Sequence, residues 1–277
     1  MINVKNAIKN LIVVQDDMKR HLPLDVTVYE PAFPNLPQEF DGFKIALLTD
    51  LHGCWHPELL SKLKREQPDL IVLGGDFFDG VYPAQEALML LDELQKIAYL
   101  AGVSGNHEKY RTDWPMLREM TSSQVRWLED EQIFLGRNEA RIRLLGLQDP
   151  GNLRGRELNA ALARVQNTSG KIPECSLFTI ALIHRPAFGK LADRADFDLI
   201  LSGHTHGGQW RLFSHGIAGP GLQDKIDLFP EYDGGLYQLH HSRMAVSRGM
   251  GDQMWIPRIF NNPELVILKL RRLQEKS

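Results

Sequence analysis

The sequence has little of several features that would place a protein in a special class. Its 277 residues include two cysteines, Cys54 and Cys175, so no disulfide framework is predicted and a reducing compartment fits. No run reaches the ~20 apolar residues that a membrane-spanning helix needs. A net charge of −3 lacks the basic excess of a nucleic-acid-binding protein, and long nucleic acid is therefore not an expected partner. No internal repeat or low-complexity tract interrupts a composition that is ordinary for a globular protein.

The first twenty residues, MINVKNAIKNLIVVQDDMKR, have a short apolar centre but no small-residue cleavage site, so we do not predict a signal peptide. Their apolar residues fall on one helical face. We expect that face to pack on the domain, with contact with a membrane surface as the alternative. We expect a cytoplasmic protein, with a peripheral position at the inner membrane as the alternative. The residues of the helical face are Ile2, Ile8, Leu11, Ile12 and Val14.

Apolar runs alternate with helical patterns along the chain. The runs FKIALLTD, DLIVLGGD, IAYLAGVSGNHE, LFTIALIH and DLILSGHTH predict buried strands, and HPELLSKLKREQ, PAQEALMLLDELQK and WPMLREMTSSQ predict helices. The later runs ARIRLLGLQ, GLYQLHHS, RMAVSRG and ELVILKL add further strands. This order predicts an α/β fold in which two mixed β-sheets pack as a sandwich flanked by helices. We expect one domain over residues 1–277, with a catalytic core at about 43–270 and an N-terminal extension at 1–24.

Five of the predicted strands end in polar side chains that can bind metal. Ligands of open α/β sheets bind beyond the carboxyl ends of the strands, so these side chains are expected at one edge of the fold. Residues two apart on an extended chain share a face, which lets the pairs in TDLHG and GHTHG hold one ion. The candidate ligands are Asp50, His52, Asp76, Asn106, His184, His204 and His206.

The number and type of these ligands predict the metals. Oxygen and imidazole donors without thiolate suit Mn²⁺, Fe²⁺, Zn²⁺ or Co²⁺. One ion with open positions needs about three or four protein ligands, so seven ligands predict two divalent ions that share one carboxylate. Such a pair suits phosphoryl transfer, with a hydroxide between the ions as the nucleophile. We expect manganese to be the most effective metal in vitro.

Each motif has a simpler reading when it is taken alone. His204 and His206 fit a solvated polar loop, His184 fits a buried core histidine, and Asp79 fits a turn residue before Gly80. The occurrence of five such motifs in this order, each at a strand end, favours the metal site over five separate coincidences.

The order D-x-H, G-D-x-x-D, G-N-H-E, a lone histidine and G-H-T-H resembles the calcineurin-like metallophosphoesterase superfamily over roughly residues 43–270. The stretches GHTHGGQ, LPQEFDGFKIALLTDLH and SRGMG…IPRIFNNPELVILKL are similar to its bacterial phosphodiesterase branch, which includes UDP-diacylglucosamine and phospholipid-type hydrolases. The resemblance implies the four-layer fold of that superfamily and two metal ions.

The resemblance also implies a role for each residue. Asp50, His52 and His206 would hold the first ion, and Asn106, His184 and His204 would complete the second. Asp76 would bridge the two ions. His107 would face the substrate as general acid, and Asp79 would accept a hydrogen bond from His107 and orient it. A histidine suits this task, since a leaving alkoxide needs a proton near neutral pH.

The substrate is less well defined by the sequence. Gln209, Arg248 and Arg258 are candidate substrate contacts, although a neighbouring loop for the glutamine and structural ion pairs for the arginines are alternatives. The apolar stretch RGMGDQMWIPRIF can receive an acyl chain or pack on the domain. We expect a phosphodiesterase acting on a small phosphodiester, phospholipid or nucleotide, with peripheral membrane contact only as the alternative named above. A phosphomonoesterase, a pyrophosphatase or a non-catalytic metal-binding scaffold is the alternative.

Overall fold

The structure is a computed structural model that describes residues 22–79, 84–149, 177–189, 193, 197–213, 215–221, 226–251 and 257–274. Its helices are α1 (Leu59–Glu66), α2 (Ala84–Leu94), α3 (Asn106–Tyr110) and α4 (Trp114–Met120), with short 3₁₀ turns at Gln38–Phe40, Pro186–Phe188 and His206–Gly208. The strands of the first half are β1 (Asp25–Tyr29), β2 (Ala32–Phe33), β3 (Lys44–Leu48), β4 (Leu70–Leu73), β5 (Tyr99–Gly102), β6 (Val125–Trp127), β7 (Glu131–Arg137) and β8 (Ala140–Leu147). Those of the second half are β9 (Thr179–Ile183), β10 (Leu199–Ser202), β11 (Trp210–Leu212), β12 (His215–Pro220), β13 (Ile226–Leu228), β14 (Gly235–Gln238), β15 (Arg243–Val246), β16 (Glu264–Lys269) and β17 (Arg271–Arg272).

Two six-stranded sheets form the body of the fold. The first has the order β1-β16-β3-β4-β5-β6, and the second has the order β14-β15-β10-β9-β8-β7. The first sheet is parallel except where β16 meets β3. The second has a parallel centre, with antiparallel pairs at its two outer ends. Both sheets are mixed, which confirms the predicted fold class, and β1 adds residues before 43 to the first sheet.

The strands are apolar on both faces because both faces of each sheet are covered. Alternate residues of a strand point to opposite sides, so Ile45 and Leu47 enter the core between the sheets. Ala46 and Leu48 pack instead with the helices on the outer side of the first sheet. The outer side of the second sheet has its own apolar layer, which includes Phe188. The central core therefore links the two sheets rigidly, and their strand ends are held in one place.

Three of the four helices, α1, α2 and α4, lie where the sequence predicts helices, whereas α3 begins at Asn106, within a run that was predicted as a strand. In α2, the buried residues Ala87, Leu90, Leu91 and Leu94 follow the three- and four-residue spacing of one helical face. That face packs on the first sheet. α1 ends at Glu66, because the next residue, Gln67, has a left-handed backbone (φ 50°) that stops the helix.

A three-stranded antiparallel sheet, β11-β12-β13, lies beside the sandwich, and we call it the small sheet. The small sheet was not predicted from the sequence, because β11 and β13 have only three residues each and are mostly exposed. The predicted helical face at residues 2–14 lies outside the described residues, as does part of the apolar stretch 248–260. Within the described ranges no helix has both the length and the apolar content to cross a bilayer.

Truncation of a side chain between the two sheets is expected to weaken the whole fold. Leu144 is fully buried there, and Leu144→Ala should lower the free energy of unfolding by about 2–5 kcal/mol because it leaves a cavity. Met116 is 55 % exposed, so Met116→Ala should change it by less than about 0.5 kcal/mol. Urea unfolding of both variants measures the difference, and equal effects would contradict the assigned core.

Candidate metal centre

The ends of β3, β4 and β5 in the first sheet and of β9 and β10 in the second meet at one edge of the sandwich. Two contacts across the sheets fix this edge. His184 Nδ1 lies 2.9 Å from the carbonyl oxygen of Gly74, and the backbone N–H of His204 donates to the Asp50 carboxylate at 3.0 Å. The edge brings together all the side chains that the sequence placed at strand ends. They are Asp50, His52, Asp76, Asp79, Asn106, His107, His184, His204 and His206.

Several of these residues have a backbone conformation that L-amino acids adopt rarely. The φ angles are 53° at Asp50, 51° at His52, 53° at Asp76, 69° at His204 and 49° at His206. A non-glycine residue with positive φ is strained, and such strain is concentrated at functional sites in proteins. The tight turns after the strands thus direct five candidate ligands towards a common point at an energetic cost.

Asp50, His52 and His206 form the first group of potential ligands, with donor atoms all within 4.8 Å of one another. The two Nε2 atoms of His52 and His206 lie 3.0 Å apart. The Nε2 atom of His206 lies 3.6 Å from Asp50 Oδ1. All three residues are at most 2 % exposed. These residues are the set that the resemblance assigns to the first ion.

Asp76, His184 and His204 form a second group with the same spacing of donor atoms. His184 Nε2 lies 3.1 Å from Asp76 Oδ2 and 3.2 Å from the Asn106 side-chain oxygen. It also lies 3.9 Å from Asp50 Oδ1, so the two groups adjoin. Asp76 belongs in addition to a group with His52 and His107, and it therefore lies between the two clusters.

The charges of the centre favour a cation. Burial opposes ionisation of Asp76, but the imidazoles of His184 and His107 outweigh it and hold the pKa of Asp76 well below its usual range. Burial alone would lower the pKa of His184, but the Asp76 carboxylate raises it to about 10. A proton on His184 thus supplies positive charge to a buried carboxylate, and a divalent ion would supply the same charge.

The remaining histidines are suited to bind metal as neutral ligands. Burial lowers the pKa of both His204 and His206, and neighbouring positive groups lower it further. Neutral imidazole and ionised carboxylate are the protonation states in which these side chains bind metals. The residues present therefore fit divalent cations.

His107 differs from the other histidines of the centre because its side chain is 32 % exposed. It occupies the first turn of α3, directly after Asn106, and its ring centroid lies 4.4 Å from that of His52. Burial opposes its protonation, but Asp76 and Asp79 outweigh burial and raise the pKa of His107 to about 9. The imidazole thus carries a proton at the open side of the cluster.

Asp79 lies between two histidines. Its Oδ2 is 3.6 Å from His107 Nδ1, longer than the hydrogen bond that was expected, and only 3.0 Å from His52 Nδ1. A carboxylate beside one ring nitrogen orients the other ring nitrogen of a metal-binding histidine. Asp79 lies nearer to His52 than to His107, so it is in position to orient the His52 ring.

The three candidate substrate contacts, Arg248, Arg258 and Gln209, form ion pairs or hydrogen bonds with other residues of the chain. Arg248 pairs with Asp25 at 2.9 Å and with Glu264 at 3.2 Å, which is the ion-pair alternative. Arg258 donates to the carbonyl oxygens of Gly251 and Arg248. Gln209 is fully buried, and its backbone oxygen accepts hydrogen bonds from the neighbouring loop at Ile259 and Asn261. A role for these three residues in substrate binding remains a prediction.

Glu108 belongs to the GNHE motif, but the sequence alone assigned it no role in the site. Its fully buried carboxylate accepts hydrogen bonds from the backbone N–H groups of Asp76 (2.9 Å), Gly105 (2.8 Å) and Phe78 (2.7 Å). Burial raises the pKa of Glu108 to about 7, against the effect of the N–H groups. One side chain thus joins the turn that holds Asp76 to the turn that holds Asn106.

Loss of the Glu108 carboxylate is expected to weaken both the fold and the metal centre. Glu108→Ala leaves three buried N–H groups without an acceptor, each costing about 1–3 kcal/mol, and it should reduce bound metal per chain at a fixed free-metal concentration. Glu108→Gln keeps one acceptor oxygen and should have a smaller effect on both. Thermal unfolding and elemental analysis of the purified variants measure these quantities.

Asp193 provides the matched control, because it accepts N–H groups from His240, His241 and Ser242 in another part of the fold. Asp193→Ala should lower the melting temperature but leave the metal content at the level of the parent. If both variants lose metal equally, Glu108 has no specific part in the centre.

Comparison with known proteins agrees with this geometry. The sequence model of the calcineurin-like phosphoesterase family matches residues 43–208. An uncharacterised metallophosphoesterase of Campylobacter jejuni is 30 % identical over 89 % of this chain and 63 % of its own length. A Bos taurus transmembrane protein with a metallophosphoesterase domain is 31 % identical over 68 % of this chain and 45 % of its own length. The chain thus covers less than two thirds of the length of each of these two relatives.

A solved structure, TT1561 of Thermus thermophilus, superposes with a TM-score of 0.50 and 13 % identity over 75 % of this chain and 89 % of that one. At this identity the likeness concerns the fold alone. The family match covers more than half of the chain and includes every candidate ligand of the edge described above. The chain belongs to the calcineurin-like phosphoesterase family.

Proposed function

We propose that the chain is a phosphodiesterase that works with two divalent metal ions. The observation that carries this proposal is the contrast between a buried cluster of seven potential ligands, each at most 5 % exposed, and the partly exposed imidazole of His107 beside it. A buried cluster suits metal binding, and a protonated group at its open side suits proton donation to a substrate. The family itself consists of phosphoesterases, so the proposal adds the diester substrate and the roles of the residues.

The two groups of donor atoms support one ion each. Asp50, His52 and His206 would hold the first, and Asn106, His184 and His204 would hold the second. Asp76 would serve both, because it lies between the groups. Two such ions would supply a nucleophile by lowering the pKa of a water molecule, and they would neutralise charge on the phosphoryl oxygens. Nitrogen and oxygen donors favour Mn²⁺, Fe²⁺ or Zn²⁺, and we propose Mn²⁺ as the most effective metal in vitro.

His107 would protonate the leaving alkoxide. Its backbone N–H donates to Asp76 Oδ1 at 2.8 Å, which fixes the start of α3 against the bridging carboxylate. Its ring is held between His52 and Asp79 and remains open to solvent on its other side. A general acid contributes typically 10²–10⁴-fold to the rate.

The charge around the cluster supports a diester over a monoester. A cavity of about 150 Å³ lies beside His204, and Asp227 and Glu231 are among its lining residues. Arg185, whose Nη1 lies 3.4 Å from His204 Nε2, donates to the Asp149 carboxylate at 2.8 Å. Carboxylates repel the second negative charge of a monoester more than they affect the single charge of a diester. A phospholipid or a nucleotide diester fits this preference.

The roles of His107 and Asp76 are separable by substitution. His107→Ala should lower turnover of a diester by about 10²–10⁴-fold while bound metal per chain stays at the level of the parent. Asp76→Asn, the control, should remove most of the metal together with the activity, because the bridging charge is lost. Elemental analysis beside steady-state kinetics checks both, and loss of metal in His107→Ala would move His107 into the ligand set.

The substrate class is tested with two chromogenic esters. Chelator-stripped protein is reloaded with Mn²⁺, Fe²⁺ or Zn²⁺ in turn, and hydrolysis of bis(p-nitrophenyl) phosphate is compared with that of p-nitrophenyl phosphate. We expect the diester to be hydrolysed faster, with Mn²⁺ the best metal. Faster hydrolysis of the monoester would overturn the diester proposal, and inactivity of protein that holds two ions would favour the non-catalytic scaffold.

A further inference from the structure

The turn that carries His206 has an unusual backbone over several successive residues. We call residues 203–209 the ligand turn. Its φ angles are 49° at His206, 67° at Gly207 and at Gly208, and 41° at Gln209. A left-handed backbone is strained at a residue other than glycine, and it persists only where the surrounding structure holds it. The ligand turn therefore depends on contacts from other parts of the chain to keep the His206 imidazole in place.

Asn261 supplies such a contact and is fully buried beside the ligand turn. Its side-chain Nδ2 donates to the carbonyl oxygen of His206 at 2.7 Å and to that of Gln209 at 3.1 Å. Its side-chain oxygen faces Gly207, where an added Cβ atom would lie 2.8 Å from it. One amide group thus joins both ends of the left-handed stretch and packs against its middle.

The two carbonyl oxygens that Asn261 contacts also have backbone donors. The N–H of Gln209 donates to the His206 oxygen at 3.1 Å, and the N–H of Ile259 donates to the Gln209 oxygen at 3.2 Å. The amide of Asn261 is therefore not required to give these buried carbonyl groups a hydrogen bond. Its two hydrogen bonds instead add a restraint on where the ligand turn lies.

Asn261 precedes a strand of the first sheet, whereas the ligand turn follows β10 of the second sheet. β16 runs antiparallel to β3, so its beginning at Glu264 lies beside the end of β3, just before Asp50. The N–H of Glu264 donates to the carbonyl oxygen of Gly249 at 3.0 Å, and the N–H of Gly251 donates to that of Asp50 at 2.6 Å. The segment that contains Asn261 is thus tied to the turn that carries Asp50.

The first group of donor atoms is divided between the two sheets. Asp50 and His52 follow β3 of the first sheet, and His206 follows β10 of the second. The affinity of this group for an ion depends on the distance of the His206 imidazole from the other two side chains. Asn261 connects the backbone of His206 to the first sheet, and it is therefore in a position to set that distance.

We propose that Asn261 is a positioning residue of the metal centre, which holds His206 at the distance from Asp50 and His52 that binding of the first ion requires. The inference rests on the two ions of the proposed function. It adds to the centre a residue outside residues 43–208, the stretch that matches the family model.

The experiment measures Mn²⁺ bound per chain against free Mn²⁺ for the full chain and its variants. We expect the parent to bind two ions. In Asn261→Ala the ion of the first group should need about 10–100-fold more free Mn²⁺, the usual effect of losing a residue that orients a metal ligand. The ion of the second group should bind as in the parent. Electron paramagnetic resonance distinguishes the two states, because adjacent Mn²⁺ ions couple magnetically and an isolated ion does not.

A second substitution separates the lost hydrogen bonds from the lost volume. Asn261→Leu keeps the size of the side chain but has no donor, so it should weaken the first ion at least as much as Asn261→Ala does. It also keeps the test valid if the cavity left by alanine unfolds the chain.

His206→Ala is the reference for loss of the first ion. Combining it with Asn261→Ala should reduce metal binding little further, because two substitutions that act through the same ligand are not additive.

Asn262→Ala is the matched control, because Asn262 is the next residue and its side chain donates to the Asp25 carboxylate at 3.1 Å instead of to the ligand turn. It should lower the melting temperature and leave the binding of both ions as in the parent. An equal loss of the first ion in Asn262→Ala would overturn the specific role of Asn261.

The positioning role is also overturned if Asn261→Ala and Asn261→Leu bind both ions as tightly as the parent, or if both ions are weakened equally. If the parent binds a single ion and Asn261→Ala weakens it, the positioning role is supported and the proposed two-ion function is overturned. Selective weakening of one ion in a protein that hydrolyses neither chromogenic ester would support the positioning role and remove the proposed hydrolysis.

Discussion

The carboxylates of Asp50 and Asp76 are buried side by side, and the rest of the structure depends on how their charge is met. A buried charge without a partner costs several kcal/mol. Each carboxylate raises the pKa of a neighbouring group, and a proton on His184 supplies part of the missing positive charge. The need for positive charge beside the two buried carboxylates explains why five imidazoles converge on the same edge. It also explains why the fold accepts strained backbone at both aspartates, since the strain is offset when a cation is bound.

The two-sheet sandwich is the framework that makes this convergence possible. Each sheet alone ends in only part of the ligand set, because β3, β4 and β5 belong to one sheet and β9 and β10 to the other. The core between the sheets fixes their relative position, and hydrogen bonds from His204 and His184 to Asp50 and Gly74 close the edge. Glu108 then joins two of the turns. The packing of distant residues such as Leu144 and Leu182 is therefore part of the geometry of the centre.

Much of this arrangement could be predicted from the sequence. Continuous apolar runs such as LIVL and LILS indicate strands covered on both faces, and polar residues directly after them indicate a ligand edge. Position after a strand does not, however, show which oxygen or nitrogen a side chain approaches. Asp79 was expected beside His107 but lies nearer to His52, and Arg248 has its partners, Asp25 and Glu264, far away in the chain. Contacts of this kind depend on tertiary packing, which a local pattern does not contain.

The small sheet could not be predicted from the sequence for a different reason. Sequence patterns reveal strands through burial, whereas β11 and β13 expose their apolar residues and so resemble loops. The turn that carries His206 is nevertheless packed tightly on this sheet. Gly207 and Gly208 have φ of 67°, and a Cβ atom on Gly208 would collide with the backbone of Gly216 in β12. The close approach that glycine allows here packs the ligand turn directly on β12. A side chain at Gly208 would push the turn away from the small sheet and would therefore displace His206, so the GHTHGGQ stretch needs its glycines as well as its histidines.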